Sequence, residues 1–304
     1  MKKARKLPPE CCTNIILDAH PPYRVYSSCR GVAQLAAHCV WDAGADGSSP
    51  STPTFFYLDT MTPLLSIVIP AHNEEHRLPA TLEAIGAFFK EQSYAAEVVV
   101  VENGSHDRTL AFCQDYARSV SWLRVFHEDQ RGKGLAVKRG MFEAVGDYRF
   151  ICDADLSMPI GEVNRFLPPR LPHSDVAIGS REAHGAKRYN EPLYRHLIGR
   201  VFNTMVRLTA LPGLQDTQCG FKCFSAEVAK KVFPLQTFSG MSFDVEVLYI
   251  ARKMGYQIVE VGIPWYFSAE SRVRLVDDSM RMAFDLMQIR RNDRDGLYDP
   301  SRPA

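Results

Sequence analysis

Asp153 and Asp155 stand one residue apart, directly after the apolar residues 150–152, and their type and spacing indicate metal chemistry. If the backbone turns where that run ends, both carboxylates can converge on one small cation. Mg²⁺ and Mn²⁺ prefer carboxylate and phosphate oxygens as ligands. The pair therefore predicts a divalent-metal site that could stabilise charge on a departing diphosphate. The alternative is a solvated acidic turn.

Lys133 lies in a Gly-Lys-Gly turn that opens a predicted helix at 133–145. Backbone N–H groups at a helix start, together with a lysine, suit a phosphate group. The turn is not a Walker loop, because His127 stands where that loop has its first glycine. A plain solvated helix start is the alternative.

Residues 181–207 carry a local excess of positive charge in a chain whose net charge is +1. The basic residues are Arg181, Lys187, Arg188, Arg195, Arg200 and Arg207, against Glu182 and Glu191. Arginine can grip a phosphate with two hydrogen bonds, so the segment predicts an anion site. Arg188 and Arg207 are expected to be ordinary surface charges. Asp216 is expected to position an acceptor substrate or a cationic partner, or to be a turn carboxylate.

The elements that must position these residues follow an α/β pattern. Strands are predicted at 66–70, 97–101, 123–127, 148–152, 175–179 and 257–263. Helical patterns alternate with them, which predicts a mostly parallel central sheet flanked by helices. Ligands bind at the carboxyl ends of such strands, where the polar clusters 71–75, 102–107 and 153–157 fall. Ser105 is predicted to cap the second helix, and later helices are predicted at 192–211, 243–254 and 278–291.

Bulk composition limits the class of protein. A balance of 36 basic and 35 acidic residues gives no reason to expect nucleic-acid binding. No apolar stretch reaches the roughly 18 residues of a membrane helix, so we expect a cytosolic protein, peripheral at the inner face of a membrane. The predicted helix 278–291 presents Phe284 and Met287 on one side, which rests either on lipid or on the enzyme's own sheet.

Residues 1–60 lack sustained periodicity and are rich in proline and polar residues, which predicts a disordered or non-native extension. Residues 32–34 and 47–50 also match what the D-arm and T-arm bases of a tRNA gene would encode. The true start would then be Met61. The predicted domain covers 61–295, and 296–304 are predicted to form a flexible tail.

Taken together, these motifs resemble the family 2 glycosyltransferases with the GT-A fold. The opening strand and the second motif of that family are similar to residues 66–74 (SIVIPAHNE) and 101–109 (VENGSHDRT). The dolichyl-phosphate β-glucosyltransferase branch, one of the polyprenyl-phosphate glycosyltransferases, is resembled at 132–134 (GKG), 153–157 (DADLS) and 216–222 (DTQCGFK). Ser157 stands where the related mannosyltransferases usually have Gln, which favours glucose, with UDP-glucose as donor.

The resemblance implies a role for each matched residue. The nucleotide sugar would be bound by Pro70, His72, Glu74, Glu102, Asn103, Lys133, Asp153, Ala154 and Arg272. Mg²⁺ or Mn²⁺ would be held by Asp153 and Asp155, with Asp155 the more direct ligand. The acceptor phosphate would be bound by Arg181, Arg195 and Arg200, and the catalytic set would be Asp155, Asp216 and Arg181.

The implied reaction is an inverting transfer of a hexose from a nucleotide diphosphate sugar to a dolichyl or polyprenyl phosphate. One alternative is a family 2 enzyme that uses a saccharide or another non-lipid acceptor, with Asp216 as a true base. Another is a nucleotide-sugar-binding module that is catalytically silent. The intact pair of Asp153 and Asp155 favours an enzyme. The sequence leaves the oligomeric state open.

Overall fold

The computed structural model describes residues 36–40, 54–58, 62–172, 174–267 and 275–300. The chain divides into two units, Met1–Met61 and Thr62–Ala304. In the first unit, strands β1 (Ala36–Val40) and β2 (Thr54–Leu58) pair antiparallel. The predicted disordered or non-native extension over 1–60 lies mostly outside the described residues, and it stays a prediction.

The described part of the second unit is built on a seven-stranded sheet. Its elements in chain order begin with β3 (Leu65–Ala71), β4 (Ala96–Asn103), β5 (Leu123–Glu128), β6 (Tyr148–Ile151) and β7 (Val176–Ser180). They continue with β8 (Lys187–Tyr189), β9 (Lys222–Ser225), β10 (Ile258–Gly262) and β11 (Pro264–Tyr266). The sheet order is β10-β7-β9-β6-β3-β4-β5, and only β9 runs antiparallel to its neighbours there. Strands β8 and β11 form a separate parallel pair.

Helices cover both faces of this sheet. They are α1 (Leu78–Lys90), α2 (Thr109–Ala117), α3 (Lys133–Glu143), α4 (Leu193–Thr209), α5 (Ala226–Val232), α6 (Phe243–Lys253) and α7 (Leu275–Arg294). The predicted α/β fold with a mostly parallel central sheet is therefore confirmed. Strands β8, β9 and β11 and helix α5 were not predicted, because strands of three or four residues are too short to show a period.

Strand β4 shows why strands of this sheet appear in the sequence as continuous apolar runs. Its side chains alternate between the two faces, so Val99 and Val101 pack in one core layer while Val98 and Val100 pack in the other. All four are fully buried. A parallel sheet covered by helices on both sides requires this pattern.

The start of α2 differs from its prediction. The helix begins at Thr109, whose backbone N–H donates to Asp107 Oδ1 at 3.0 Å. Ser105 is not the cap, because its hydroxyl accepts from the Asn73 backbone N–H at 2.9 Å. Ser105 therefore joins the loop after β3 to the loop after β4, at the end of the sheet where the site lies.

The predicted flexible tail at 296–304 begins with residues that include a buried side chain. Tyr298 is fully buried, and its hydroxyl donates to Glu246 on α6 at 2.8 Å. The packed domain therefore extends at least to Tyr298, beyond the predicted boundary at 295, while 301–304 lie outside the described residues. Among the described helices, none has the length and apolar composition needed to cross a bilayer.

Candidate active site

A cleft of about 1120 Å³ opens at the carboxyl ends of β3, β4, β6 and β7. The predicted site residues that line it are Pro70, His72, Glu74, Asn103, Lys133, Asp153, Ala154, Asp155, Arg181 and Arg195. Within the described part of the chain, the cleft wall does not include Glu102, Asp216 or Arg200. Arg272 lies outside the described residues.

Pro70 marks the point where the crevice begins. The ladder between β3 and β6 ends at Val68 and Ile151, whereas the ladder between β3 and β4 continues to Ala71. Proline has no N–H to donate, so it suits a strand position whose neighbour has turned away. The separation of β3 from β6 leaves room for the turn that carries the two aspartates.

The loops after β3 and β4 are tied together beside Pro70. His72 Nδ1 lies 2.8 Å from the Asn103 carbonyl oxygen. Arg77, which sequence reasoning missed, donates to both carboxylate oxygens of Glu74, through Nε at 2.6 Å and a terminal nitrogen at 2.5 Å. These contacts fix the wall that resembles the family's nucleotide-binding turn.

Glu102 lies behind this wall rather than on it. Its side chain is 1% exposed, one oxygen accepts from the Ser105 backbone N–H at 2.5 Å, and the other lies 2.5 Å from His127 Nδ1. That hydrogen bond to Glu102 raises the pKa of His127 above its usual range. The predicted direct contact of Glu102 with a nucleoside is therefore corrected: in this structure the carboxylate orders the loop after β4.

Asp153 and Asp155 both reach the cleft, with side chains 31% and 23% exposed. Asp153 Oδ1 pairs with Lys133 Nζ at 2.6 Å. Asp155 accepts from the Ser157 backbone N–H at 3.1 Å and lies 3.8 Å from Arg77. Burial alone would raise the pKa of Asp153, but Lys133, together with Lys222 and Arg181, outweighs it and lowers the pKa below its ordinary value. Asp153 is therefore a carboxylate at neutral pH.

Gly220 leaves the space that Asp153 occupies. A Cβ atom at position 220 would lie 2.0 Å from Asp153 Oδ2, well inside van der Waals contact. The loop 216–220 can therefore approach Asp153 this closely because residue 220 has no side chain. Gly220 lies within the motif DTQCGFK, but the sequence alone did not indicate why this position requires a glycine.

The turn that carries Lys133 differs from the predicted phosphate cradle. The backbone N–H of Gly134 donates to the Ser239 carbonyl at 2.8 Å, and that of Leu135 shares the same carbonyl at 3.4 Å. These helix-start donors therefore point at protein rather than at a ligand. Burial would lower the pKa of Lys133, but Asp153 and Asp244 raise it, so the lysine stays charged against the aspartate turn.

At the other end of the cleft, Arg181 is held by Asp216. Arg181 donates to the two carboxylate oxygens at 2.6 and 2.9 Å, and its backbone N–H donates to Asp216 at 3.0 Å. Asp216 is fully buried. Burial would raise the pKa of Asp216, yet Arg181 lowers it far below the ordinary value. Asp216 thus orients a cation, and a carboxylate so depressed and enclosed is poorly suited to act as a base.

Two aromatic side chains lie beside three arginines of the cleft. One is Trp265 on β11, and the other is Phe267, just after that strand. The guanidinium of Arg181 lies 5.3 Å from the Trp265 ring centre, and that of Arg188 lies 5.8 Å from it. Arg195 lies 5.0 Å from the Phe267 ring centre. Cation–π contacts of this kind favour cations that are partly removed from water. Residues 265 and 267 point to one side of the chain, so they form a common floor.

Arg188 corrects the expectation of a plain surface charge. It lines the cleft, its side chain is 17% exposed, and it bridges Glu182 and Glu191 at 2.5 Å each. Arg200, predicted to bind the acceptor phosphate, instead pairs with Glu182 at 3.0 Å outside the cleft wall. The sequence could not show which of these arginines faces the cleft, because their orientation depends on the turn from β8 into α4.

Gln218 also lines the cleft, and sequence reasoning did not assign it a role. Its side-chain nitrogen Nε2 is buried and has no hydrogen-bond partner among the described residues. A buried donor left without a partner costs about 1–3 kcal/mol. Such an atom is uncommon in a folded protein and calls for a physical explanation.

The donor set fits a hard divalent cation. Among the described residues, no cluster of three or more His, Cys, Asp or Glu side chains is arranged to hold a metal. Asp153 and Asp155 therefore offer two carboxylates only. That is the usual arrangement for Mg²⁺ sites in which substrate phosphates and water complete the coordination.

Comparison with known proteins identifies relatives that match most of this chain. The dolichyl-phosphate beta-glucosyltransferase of Dictyostelium discoideum is 34% identical over 244 residues, 74% of this chain and 73% of that protein. The proteins of that name from Saccharomyces cerevisiae and Homo sapiens are each 32% identical, covering 77% and 81% of this chain and 76% and 80% of their own lengths.

Solved structures support the fold independently. Glucosyl-3-phosphoglycerate synthase from Mycobacterium tuberculosis, in complex with Mn²⁺, UDP-glucose and glycerol 3-phosphate, aligns with a TM-score of 0.54 at 19% identity, over 77% of this chain and 80% of that one. This likeness confirms the predicted GT-A fold. The family model "Glycosyl transferase family 2" matches residues 66–233, more than half of the chain. The chain therefore belongs to glycosyl transferase family 2 and is a glycosyltransferase.

Proposed function

We propose that this enzyme transfers glucose from UDP-glucose to dolichyl phosphate or a related polyprenyl phosphate, with inversion at the anomeric carbon. The observation that carries the proposal is one cleft that two aspartates line at one end and three arginines line at the other. Asp153 and Asp155 lie at one end, and Arg181, Arg188 and Arg195 at the other. The names of the similar proteins support glucose and dolichyl phosphate as the substrates.

The donor end suits a nucleotide diphosphate. Asp153 and Asp155 would hold Mg²⁺ or Mn²⁺, which when bound supplies positive charge to the diphosphate leaving group. Lys133 holds Asp153 in place and adds a fixed positive charge beside the pair. Pro70, His72 and Asn103 form the neighbouring wall, where the nucleoside would lie.

The acceptor end suits a phosphate that is already an anion. Arg181 and Arg195 would bind its oxygens, and the neutralising carboxylate Asp216 keeps Arg181 oriented toward the cleft. A lipid phosphate carries negative charge at neutral pH, so its oxygen attacks without a base. This removes the need for Asp216 as a proton acceptor and disfavours a hydroxyl acceptor activated by that residue.

The reaction is then a single displacement. A phosphate oxygen of the lipid forms the new bond to the anomeric carbon, while the bond from that carbon to the diphosphate oxygen breaks. Attack opposite the leaving group inverts the configuration. Catalysis comes mainly from holding the two substrates in line and from stabilising charge on the leaving diphosphate.

Transfer to a lipid would be assisted if the enzyme lies on a bilayer, and α4 has a face suited to that. The apolar side chains exposed on one side of this helix are Leu193, Tyr194, Leu197, Val201 and Leu208. By helical spacing, Arg200 and Arg207 border that side, as in interfacial helices. Arg195 on the same helix faces the cleft. We therefore include peripheral association with the membrane surface in the proposal.

Helix α7 packs one side on the enzyme and leaves the other side exposed. Leu286 and Ile289 are buried in the core, whereas Phe284 and Met287 are 68% and 61% exposed. One side of this helix packs on the enzyme, and the other leaves two large apolar side chains at the surface. These exposed side chains add to the support for a lipid-facing role.

A transfer assay tests the proposed chemistry. Radiolabelled UDP-glucose, UDP-galactose and GDP-mannose are supplied in separate reactions, each with dolichyl phosphate and either Mg²⁺ or Mn²⁺. We expect organic-extractable glucosyl lipid that depends on the metal. Product with GDP-mannose alone, or transfer to soluble saccharides without lipid, would overturn the assignment.

A vesicle assay tests the membrane contact separately. The double variant Leu197→Ser/Val201→Ser is expected to sediment poorly with vesicles of phosphatidylcholine and phosphatidylserine, while retaining activity on a short, water-soluble polyprenyl phosphate. Phe142→Ser is the matched control, because Phe142 is 49% exposed on α3. Equal sedimentation of the double variant and the wild type would remove α4 from the proposed contact.

A further inference from the structure

The loop 216–220 connects the two ends of the cleft. At its start, Asp216 is bound to Arg181 of the acceptor end at 2.6 Å. At its end, Gly220 lies against Asp153 of the donor end, so close that no Cβ would fit. Gln218 stands midway between these anchors and lines the cleft. The anomeric carbon must also lie between the acceptor phosphate and the leaving diphosphate.

The backbone of this loop is held firmly, so the main chain at Gln218 has a fixed position. The Gln218 backbone N–H donates to Asp216 Oδ1 at 3.2 Å. Lys222 Nζ donates to the Cys219 carbonyl at 2.6 Å and pairs with Asp244 at 2.5 Å, and both charged side chains are buried. A side chain on such a support can position a substrate group without ordering a flexible segment first.

The chemistry of the side chain indicates which substrate group it meets. In the proposed function, phosphates would be bound in this cleft by the arginines, Lys133 and the predicted cation site. A carboxamide is neutral, and its N–H donates to a neutral acceptor such as a hydroxyl. Gln218 Nε2 is buried without a partner in the described structure, although almost all such donors are satisfied.

We propose that Gln218 binds the hexose of the donor, its carboxamide turning toward the cleft so that Nε2 donates a hydrogen bond to one sugar hydroxyl, and that it contributes to selection of the sugar. The inference rests on the proposed function, since it requires a nucleotide-linked hexose in this cleft. It assigns to Gln218 a specificity role that complements the charged residues at the two ends. A site built to bond a hydroxyl discriminates against sugars that lack it.

The test compares the binding of UDP-glucose with that of UDP, measured by calorimetry in the presence of Mn²⁺ and without acceptor. Gln218→Met keeps the side-chain length and removes the donor. We expect it to bind UDP-glucose about 10-fold more weakly, as for loss of one hydrogen bond, and to bind UDP as the wild type does. Gln215→Leu is the matched control, because Gln215 is exposed three residues away on the same segment and is expected to change neither affinity.

Thermal unfolding separates this role from a structural one. Removing an unpaired buried donor leaves the unliganded protein at least as stable as before, so Gln218→Met should melt at or above the wild-type temperature. A series of monodeoxy UDP-glucoses should contain one that binds equally to variant and wild type. Parallel loss of UDP and UDP-glucose affinity, a lower melting temperature, or unchanged UDP-glucose affinity would overturn the inference.

The same design distinguishes failure of the inference from failure of the proposed function. If UDP-glucose binds and Gln218→Met weakens it selectively, the inference stands even where no lipid phosphate accepts glucose. If glucose is transferred to lipid but the variant binds UDP-glucose normally, the inference fails and the proposed function stands. If the wild type binds UDP and UDP-glucose with equal affinity, the sugar gains nothing from the cleft and the inference fails.

Discussion

The two ends of the cleft use charge in different ways. At the donor end, Asp153 and Asp155 remain partly exposed, and a single lysine contact restrains the first of them. At the acceptor end, Arg181 and Arg188 are largely buried, and each is already paired with carboxylates and stacked near Trp265. The donor end presents two partly exposed carboxylates with few contacts, while the acceptor end holds its cations in a network of carboxylates and aromatic rings.

The contrast follows from the kind of ligand that each end would bind. A metal ion with its diphosphate brings much of its own coordination, so two exposed oxygens suffice. A lipid phosphate meets cations whose geometry must be fixed beforehand, because guanidinium groups close together repel one another. The buried carboxylates and the aromatic floor reduce that repulsion and fix the direction of each arginine. Substitutions at the donor end should therefore lower the catalytic rate, whereas substitutions at the acceptor end should also lower the stability of the fold.

The largest expected effect is on stability at the acceptor end. Asp216→Asn leaves Arg181 buried without its counter-ion, which should lower the free energy of unfolding by about 3–5 kcal/mol at neutral pH. Because the folded-state pKa of Asp216 is depressed, its stabilisation is present above the unfolded pKa of about 3.9 and is lost as pH falls through the folded value. Urea unfolding of both proteins at several pH values measures this. A difference that persists undiminished in acid would contradict it.

The next effect is on catalysis at the donor end. Asp155→Ala should slow transfer about 100-fold, near 3 kcal/mol of transition-state stabilisation, with a melting temperature close to wild type. Steady-state kinetics with saturating metal provide the measurement. Asp115→Ala is the control, because that aspartate lies on the surface of α2 and pairs with Arg118. Unchanged turnover in Asp155→Ala would remove the metal role.

A smaller effect tests the approach of the two ends through their shared loop. Gly220→Ala introduces a Cβ where Asp153 Oδ2 lies, so the aspartate must move. We expect turnover to fall about 30-fold, since displacement of a positioned group by about 1 Å can cost up to about 100-fold. Gly161→Ala is the matched control, because a Cβ there meets nothing within 4 Å. Equal activities would mean that the position of Asp153 is unimportant.

The smallest effect concerns the aromatic floor. Trp265→Leu should raise KM for the lipid phosphate about 5- to 10-fold with little change in kcat, since a cation–π contact contributes about 1–2 kcal/mol where water is partly excluded. Trp265→Phe should recover part of the loss. KM values for donor and acceptor, measured separately, check this. A rise in the KM for UDP-glucose alone would place Trp265 at the donor end instead.

The donor end could be predicted from sequence because its residues follow strand ends. Each parallel strand shows as an apolar run, and its carboxyl end lies at the common edge of the sheet, so Pro70, Asn103 and Asp153 could be brought together without a structure. The roles of Glu102 and of the helix start after Gly132 could not, since they depend on hydrogen bonds to His127 and Ser239.

The acceptor end shows the opposite case. Sequence alone identified a basic segment and an important Asp216, but not which arginines face the cleft. Arg188 turns inward because β8 pairs beside β11 and brings it against Trp265, whereas Arg200 turns outward to Glu182. Those orientations arise from contacts between segments that are far apart in the chain.

The amino-acid sequence was therefore sufficient to predict the α/β class, the aspartate pair at a strand end, the resemblance to glycosyltransferases and the general location of positive charge. Local periodicity and strand-end position carry that information, and both are written in neighbouring residues. Tertiary structure alone decided that Asp216 enforces the direction of Arg181, that Gly220 makes room for Asp153, and that Gln218 lies between them. These relations depend on the antiparallel insertion of β9, whose four residues are too few to reveal their partners before the chain folds.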